Sequence, residues 1–160
     1  MYQTLTSLFI FEVKRFMMEV FESINFYTLD KAIRTYRMYS QKQLKANGCK
    51  ISVDQWLIVK CVLENSGISQ QEIAAKVFKD NASVTRIIEL LVKSNYLERS
   101  IHPKDRRKSH LKVTASGKLI IEKVYELVLQ NRRTALQGIA QNDLEILNAT
   151  LKKIIENCSS

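Results

Sequence analysis

The most chemically distinctive stretch of this chain is a run of basic residues between Arg99 and Lys118. It holds seven Lys or Arg and a single Asp, and four of those cations lie with the Asp in residues 103–108. Burying unpaired charge costs several kcal/mol per ion, so these side chains belong in water or against a polyanion. The pattern predicts contact with phosphates; the alternative is a merely solvated turn, as most charge runs are.

Other kinds of chemistry are poorly supported. His102 and His110 flank the basic loop and could face each other across it near Asp105, but no third ligand converges and no metal is expected. There is no Ser-His-Asp or Cys-His set and no Gly-rich phosphate loop. The chain is therefore not expected to be an enzyme or to hold a cofactor.

Composition points the same way. The formal net charge is +9 with a pI near 9.5, which favours nucleic acid over a membrane surface as partner. Near the N-terminus Glu12, Lys14 and Arg15 interrupt the apolar run, so neither a membrane span nor a signal peptide is expected. Three Cys without a CxxC motif indicate a reducing cytoplasm, and structural or incidental thiols are favoured over redox sensing.

The element that would position the basic stretch is an amphipathic helix. Asp80 is its predicted N-cap, and the helix is expected to be regular to Ser94. Its buried face is formed by Val84, Ile87, Ile88, Leu91 and Val92. Alternation then predicts two strands, residues 96–102 and 109–114, joined by the basic loop.

Two shorter helices precede it. Ser52 with Gln55, and Ser69 with Glu72, are capping boxes that open helices at residues 53 and 70, the first running to residue 65. The residues expected to face inward are Trp56, Val59 and Leu63, then Ile73, Ala74 and Val77. The second of these helices and the amphipathic helix, joined by a short turn, outline a helix-turn-helix.

Both ends of the chain are expected to be helical and to associate. At the N-terminal end, apolar residues at three- and four-residue spacing run from Leu8 to Ile24 and onward to Gly48. After the strands, Thr114 caps a helix that reaches Gly138, with an apolar series at Leu119, Ile120, Val124, Leu127 and Val128. The last helix has a nearly heptad seam at Leu144, Leu147, Leu151, Ile154 and Ile155.

These ends offer more apolar surface than one subunit can hide, so a second copy of the chain is the expected cover. The predicted fold is mainly α with a small β-hairpin wing. Its centre is a winged helix-turn-helix domain at residues 49–114. Residues 1–48 form an N-terminal helical dimerisation segment, and residues 115–160 form the C-terminal dimerisation helices.

Several short motifs together carry a resemblance to a known family. They are Ser52-Val53-Asp54-Gln55-Trp56, Ile73-Ala74, Ser83-Val84-Thr85-Arg86, Asp105-Arg106-Arg107, and Leu111-Lys112-Val113-Thr114 with Gly117. This combination resembles the MarR family of bacterial winged helix-turn-helix transcriptional regulators, over about residues 24–157. The most specific part is the DRR sequence, the strand after it and the Thr-x-x-Gly helix start. The N-terminal segment, residues 1–23, is longer than the corresponding segment commonly is in such proteins.

The resemblance implies a homodimer that places helix 81–94 of each subunit in the major groove of DNA and the hairpin tip in the adjacent minor groove. The first residues of a recognition helix contact base edges. The side chains available there are Lys79, Asn81, Ser83, Thr85 and Arg86. Arg86 could fork onto a guanine or clamp a phosphate, and the sequence leaves both open.

In the hairpin, Arg107 is the expected minor-groove residue, with Arg106 and Lys104 beside it, because a guanidinium favours the negative potential of a narrow groove. Asp105 is expected to brace one of these arginines. The resemblance also implies a pocket for a small aromatic or anionic effector. Carried over by position, it would be lined by Arg34, Tyr36, Arg37, Tyr39 and Trp56, although such aromatic residues are more often simply packed.

The function predicted is that of a transcriptional regulator, in the form of a repressor, that occupies a near-palindromic operator as a homodimer and is released by an effector or acts constitutively. Two alternatives remain. The helix-turn-helix could be a protein-docking adaptor whose basic wing meets an acidic partner, or the chain could be a nonspecific architectural DNA-binding protein. Selective binding in competition with random DNA separates these classes.

Overall fold

A computed structural model describes the backbone of residues 25–102 and 105–159, and the side chains of residues 25–100 and 110–159. The chain divides into two compact units between Lys42 and Gln43. The apolar run predicted from Leu8 to Ile24 lies outside the described residues, as do Pro103 and Lys104. No helix in the described ranges is long and apolar enough to cross a membrane.

Helix α1, Asn25–Ala46, contains the described part of the first unit. Its end is closed by a turn that suits glycine, because Gly48 has φ 66°. The Gly48 N–H donates to the Lys45 carbonyl at 3.1 Å, and the Cys49 N–H donates to the Leu44 carbonyl at 3.0 Å. The predicted end of the first helical segment at Gly48 is confirmed.

Helices α2, Val53–Glu64, and α3, Gln70–Lys76, begin with the two predicted capping boxes. In the first, the Ser52 N–H donates to Gln55 Oε1 at 2.8 Å and the Gln55 N–H donates to Ser52 Oγ at 3.1 Å. Each box satisfies two backbone N–H groups, those of the N-cap and of the third helical residue, that would otherwise have no partner within the helix.

One inward-facing residue of α2 was predicted wrongly. Trp56 and Val59 are buried, whereas the side chain of Leu63 is 44% exposed. Leu63 follows buried Val62 by one position, which is about 100° around the helix, and it lies in the last turn where no described element covers it. The buried arc of α2 is completed instead by Ile58, Cys61 and Val62.

Helix α4, Asn81–Lys93, has Asp80 as N-cap and Ser94 as C-cap, as predicted. Val84, Ile88 and Leu91 are fully buried and Ile87 is half-buried. The prediction that Val92 belongs to the buried face is wrong, since it is 37% exposed. It lies about 100° around the helix from Leu91, at the edge of the buried arc.

The hairpin consists of strands β1, Leu97–His102, and β2, Asp105–Val113, paired antiparallel. β2 therefore begins four positions before the predicted residue 109, and it ends at Val113 because Thr114 caps the next helix. The prediction relied on side-chain alternation, but ladder hydrogen bonds join backbone groups and a charged sequence can extend them.

The pairing is irregular at the basic end of the hairpin. Ile101 pairs with Ser109 and His102 with Asp105, so residues 106–108 have no counterpart on β1, as in a bulge. His110 pairs with Ser100, so the expectation that the two histidines face each other across the hairpin is wrong. The three extra residues on β2 shift the pairing register, so that His102 and His110 are not opposite each other.

Helix α5, Ala115–Ala135, follows the hairpin, with Thr114 as the predicted cap. Ile121 and Val124 are buried, whereas Leu119, the first residue of the predicted apolar series, is 66% exposed. Leu119 lies two positions before Ile121, and the corresponding helical rotation of about 200° turns its side chain to the other side of the helix. Helix α6, Gln141–Cys158, has no buried residue, although it carries the predicted apolar seam.

The core of the second unit is built by α2, α3, α4, both strands and α5. Its fully buried large side chains are Ile58, Val59, Ile73, Val84, Ile88, Leu91, Leu97 and Val124. Burying a side chain of this size stabilises a protein by about 1.5–3 kcal/mol relative to exposure. This core holds the helix-turn-helix and the base of the hairpin, which is the mainly α fold with a small wing that the sequence predicts.

Candidate nucleic-acid interface

The turn between α3 and α4 is held at both ends by backbone hydrogen bonds. The Phe78 N–H donates to the Ala75 carbonyl at 3.3 Å and the Lys79 N–H donates to the Ala74 carbonyl at 3.0 Å, which closes α3. The Ser83 N–H donates to Asp80 Oδ1 at 2.7 Å, which opens α4. The first turn of α4 is thus presented on a rigid connection.

Two residues of the predicted contact set are open to a ligand. Asn81 and Arg86 are exposed in the first two turns of α4. Neither side chain has a hydrogen-bond or ion-pair partner among the described residues. An amide and a guanidinium so placed can read base edges or hold a phosphate.

Thr85 has a different position. It is half-buried, and its hydroxyl donates to the Asn81 carbonyl at 2.7 Å while accepting a hydrogen bond from the Gln70 side-chain amide. Since a hydroxyl has a single proton, its donor capacity is used inside the protein. Thr85 joins α4 to the beginning of α3.

Ser83 is also engaged. Its hydroxyl donates to Asp80 Oδ2 at 2.7 Å, in addition to the backbone hydrogen bond from the same residue. These bonds favour the carboxylate and lower the pKa of Asp80, the side-chain bond from Ser83 being the larger cause. The cap is consequently ionised at neutral pH, and it complements the positive end of the helix dipole.

Lys79 is held by an ion pair. Its Nζ lies 2.9 Å from Asp54 Oδ2, and about a quarter of each side chain is exposed, 26% and 30% respectively. The pair connects the turn before α4 to the first turn of α2. In this arrangement the Lys79 charge is partly satisfied before any ligand arrives.

The predicted hairpin contacts lie where the structure describes at most the backbone. Lys104 lies outside the described residues. Asp105, Arg106 and Arg107 belong to β2 by their backbone, and their side chains lie outside the described set. The roles of these four residues remain predictions.

The predicted effector residues fall in both units. On α1, Tyr36, Arg37 and Tyr39 are half-buried, and the exposed Arg34 donates from Nε to Asp30 Oδ2 at 2.6 Å. On α2, Trp56 is buried with the Lys60 Nζ 5.9 Å from its ring centroid. The Trp56 indole N–H has no acceptor in the described part of the chain.

Sequence reasoning missed two residues here. Gln70 was counted only as part of a capping box, and no local pattern signals its bond to Thr85. Phe78 is 93% exposed and has φ 54°, a left-handed conformation. The signal available for Phe78 was the lack of Gly or Asn in a turn that needs one of them.

Comparison with known proteins agrees with this geometry. Residues 51–109, which span α2 to the hairpin, match the model of the MarR family. Among curated relatives, the HTH-type transcriptional regulator BilQ of Clostridium symbiosum is 25% identical over 119 residues, which cover 74% of this chain and 81% of that protein. BilQ is named as a transcriptional regulator.

Two further matches extend the similarity beyond the domain. The HTH-type transcriptional repressor IacR of Pseudomonas putida is 21% identical over 136 residues, which cover 85% of this chain and 80% of that protein. The crystal structure of CouR from Rhodococcus jostii RHA1 bound to p-coumaroyl-CoA has a TM-score of 0.73 at 18% identity, with 85% and 94% of the two chains covered. This structural similarity confirms the winged helix fold. Among the described residues of this chain there is no cluster of His, Cys, Asp or Glu that could hold a metal ion.

Proposed function

We propose that this chain is a regulator of the MarR family that represses transcription by occupying a near-palindromic operator as a homodimer. Helix α4 enters the major groove and the hairpin tip reaches the adjacent minor groove. The relative IacR is named as a repressor, which supports this direction of regulation. Two identical readers related by a two-fold axis require half-sites about 10 base pairs apart.

The observation that carries the proposal is the state of the first turns of α4. Asn81 and Arg86 are exposed and have no partner among the described residues, while the opposite face of the helix is anchored by Val84, Ile88 and Leu91. A helix fixed on one face with open amide and guanidinium groups on the other can enter a groove without rearrangement.

The proposed contacts have different duties. Asn81 and Arg86 contact base edges. Lys79, Ser83 and Thr85 lie around the N-terminus of α4, where their hydrogen bonds and ion pair within the protein fix the position of that end of the helix. Arg107, supported by Arg106 and Lys104, occupies the minor groove, and Asp105 braces an arginine of the loop. The bulge at residues 106–108 directs this part of the strand away from the regular ladder, which supports a role outside the sheet.

The proposed dimer uses the ends of the chain, with residues 1–48 and 115–160 as dimerisation segments around the DNA-binding residues 49–114. On α6, Ile146, Leu147 and Ile155 are each at least half exposed, and the helix has no buried residue. On α1, Phe26, Ile33 and Met38 are likewise exposed. Apolar helix faces this open favour pairing with a second copy.

The proposed regulator releases DNA when it binds a small aromatic or anionic effector. CouR was crystallised with p-coumaroyl-CoA, and the buried Trp56 N–H of this chain lacks an acceptor in the described part, which a polar ligand atom could supply. The proposed contact in the second unit is Trp56, and the effector roles of Arg34, Tyr36, Arg37 and Tyr39 on α1 stay predictions from the sequence. Thermal stabilisation by phenolic acids in the wild type, lost on truncation of Tyr36 and Trp56, supports it; no shift with any compound argues against it.

The deciding experiment is a binding titration with duplex selected by the protein from a pool of random sequence. The dissociation constant should rise steeply between about 50 and 200 mM salt, because each subunit neutralises several phosphates. Selective binding in the presence of excess random DNA excludes an architectural binder. A protein that ignores duplex DNA even at low salt is not the proposed repressor, and the adaptor alternative then applies.

A further inference from the structure

We infer that Phe78, in the turn before α4, is itself a DNA-contacting residue. Its ring packs against the apolar surface of the duplex, deoxyribose carbons or a thymine methyl group, beside the groove that α4 enters. The inference rests on the proposed function and extends it by a residue that none of the recognised motifs contains.

The first observation is exposure. At 93%, Phe78 is more exposed than any other large apolar side chain among the described residues, Met38 being next at 73%. One exposed apolar residue is ordinary on a protein surface, so exposure by itself decides nothing. It does establish that the ring makes no packing contact that would explain its presence.

The second observation concerns the backbone. Three helices, α1, α3 and α4, end in the same pair of hydrogen bonds, and the left-handed residue in these turns is Gly48, Phe78 and Asn95 respectively. Gly and Asn adopt this conformation readily, whereas an aromatic residue with φ 54° is strained. Strain at a residue that gains no internal contact points to a function of the side chain.

The third observation is the position of the ring. Phe78 lies two residues before Asp80, the N-cap of the helix proposed to enter the groove. The backbone around it is fixed by hydrogen bonds to Ala74 and Ala75 and by the Lys79–Asp54 ion pair. The ring is therefore presented from a rigid turn, so that little conformational freedom is lost on binding.

The surrounding charges favour DNA as the partner. Lys76 and Arg86, on either side in sequence, are exposed cations, and the nearby Asp80 carboxylate is occupied by the hydrogen bonds from Ser83. Exposed cations beside the ring suit phosphates, and Phe is among the residues that make apolar contact with thymine methyl groups in the major groove.

The test is the variant Phe78→Gly, measured with the same selected duplex. We expect a loss of affinity of about five- to tenfold, because an apolar contact of partial ring area is removed. The slope of affinity against salt should not change, since no phosphate contact is lost. The unfolding midpoint should stay the same or rise, because glycine fits the left-handed turn.

Asn95→Gly is the matched control, since it makes the same backbone change at the corresponding position of α4 and should leave DNA affinity unaltered. Equal affinities of Phe78→Gly and wild type for the selected duplex overturn the inference. An equal loss in both variants, or a reduced salt slope, also overturns it. If wild-type protein binds no duplex, the proposed function itself fails.

Discussion

The side-chain amide of Gln70 donates a hydrogen bond to the hydroxyl of Thr85, 15 positions along the chain. The Thr85 hydroxyl in turn donates a hydrogen bond to the Asn81 carbonyl, one helical turn back. The first residue of α3 is in this way fastened to the helix proposed to read DNA. The angle between the two helices is set by a polar contact as well as by the buried face of Ile73, Val84 and Ile88.

This contact should be measurable as a coupling between the two residues. Thr85→Val removes the hydroxyl with little change of shape and leaves the Gln70 amide unpaired, so the free energy of unfolding should fall by about 1 kcal/mol. In a cycle with Gln70→Ala the coupling energy should be about 0.5–1.5 kcal/mol. Chemical denaturation of the four proteins checks it, with Thr85→Ser as control; strictly additive effects contradict the contact.

Arg86 and Arg107 should differ in how their loss affects DNA binding. Replacing Arg107 by Ala should weaken binding to many sequences alike and reduce the salt slope by about one phosphate contact. Arg86→Ala should instead change the preferred sequence, at a cost of about 1–3 kcal/mol at the affected base pair. Selection from random DNA with each variant distinguishes the two, and identical, sequence-independent losses argue against this division.

The Asp80 cap should make stability depend on acid pH. Because its pKa is lowered in the folded protein, chiefly by the Ser83 hydroxyl, the ionised carboxylate stabilises the fold above its ordinary pKa of about 3.9. That contribution is lost as pH falls through the lowered folded-state pKa. Asp80→Asn, a neutral cap that does not titrate, should lack this component.

The measurement is the thermal unfolding midpoint of wild type and Asp80→Asn from pH 7 downward. Other carboxylates titrate equally in both proteins, so the difference between the two curves isolates Asp80. The advantage of wild type should shrink progressively below about pH 5. A difference that stays constant with pH would mean that the pKa of Asp80 is the same in the folded and unfolded protein.

Gly117 should be irreplaceable for steric reasons. It lies in the first turn of α5, its N–H donates to Thr114 Oγ1 at 2.9 Å, and a Cβ there would collide with the backbone carbonyl of Tyr96 and with Val113. Gly117→Ala should therefore destabilise the protein by at least about 2 kcal/mol, since the carbonyl cannot move without disturbing the hairpin. Ser116→Ala, at the exposed neighbouring position, should change stability by no more than about 0.5 kcal/mol. The denaturant midpoints of both variants and of wild type check the two predictions, and a Gly117→Ala variant as stable as Ser116→Ala contradicts the steric argument.

The proposed dimer should depend on the apolar face of α6. Leu147 and Ile155 are 50% and 64% exposed in the single chain, and charging both with Lys should convert the protein to monomers. Ala149→Lys, on the opposite side of the same helix, is the control and should remain dimeric. Light scattering gives the mass of each variant. A dimeric double variant would remove α6 from the proposed interface.

Features held by neighbours in sequence could be predicted from the chain alone. The caps at Ser52, Ser69, Asp80 and Thr114 and the helices that follow them were predicted correctly, because a cap joins residues two or three positions apart. The basic character of the hairpin and the buried stripe of α4 were visible for the same reason. Errors occurred at Leu63 and Val92, where periodicity shows that a helix has an apolar face but not how far its neighbours cover that face.

Tertiary structure alone decided which polar groups stay available to a ligand. Gln70 holds Thr85, Asp54 holds Lys79, and Asn81 and Arg86 are left open among the described residues. It also set the hairpin register and placed Gly117 against Tyr96. Local propensities act over three or four residues, whereas these contacts join residues distant in sequence that meet only when the core closes, so no spacing rule encodes them.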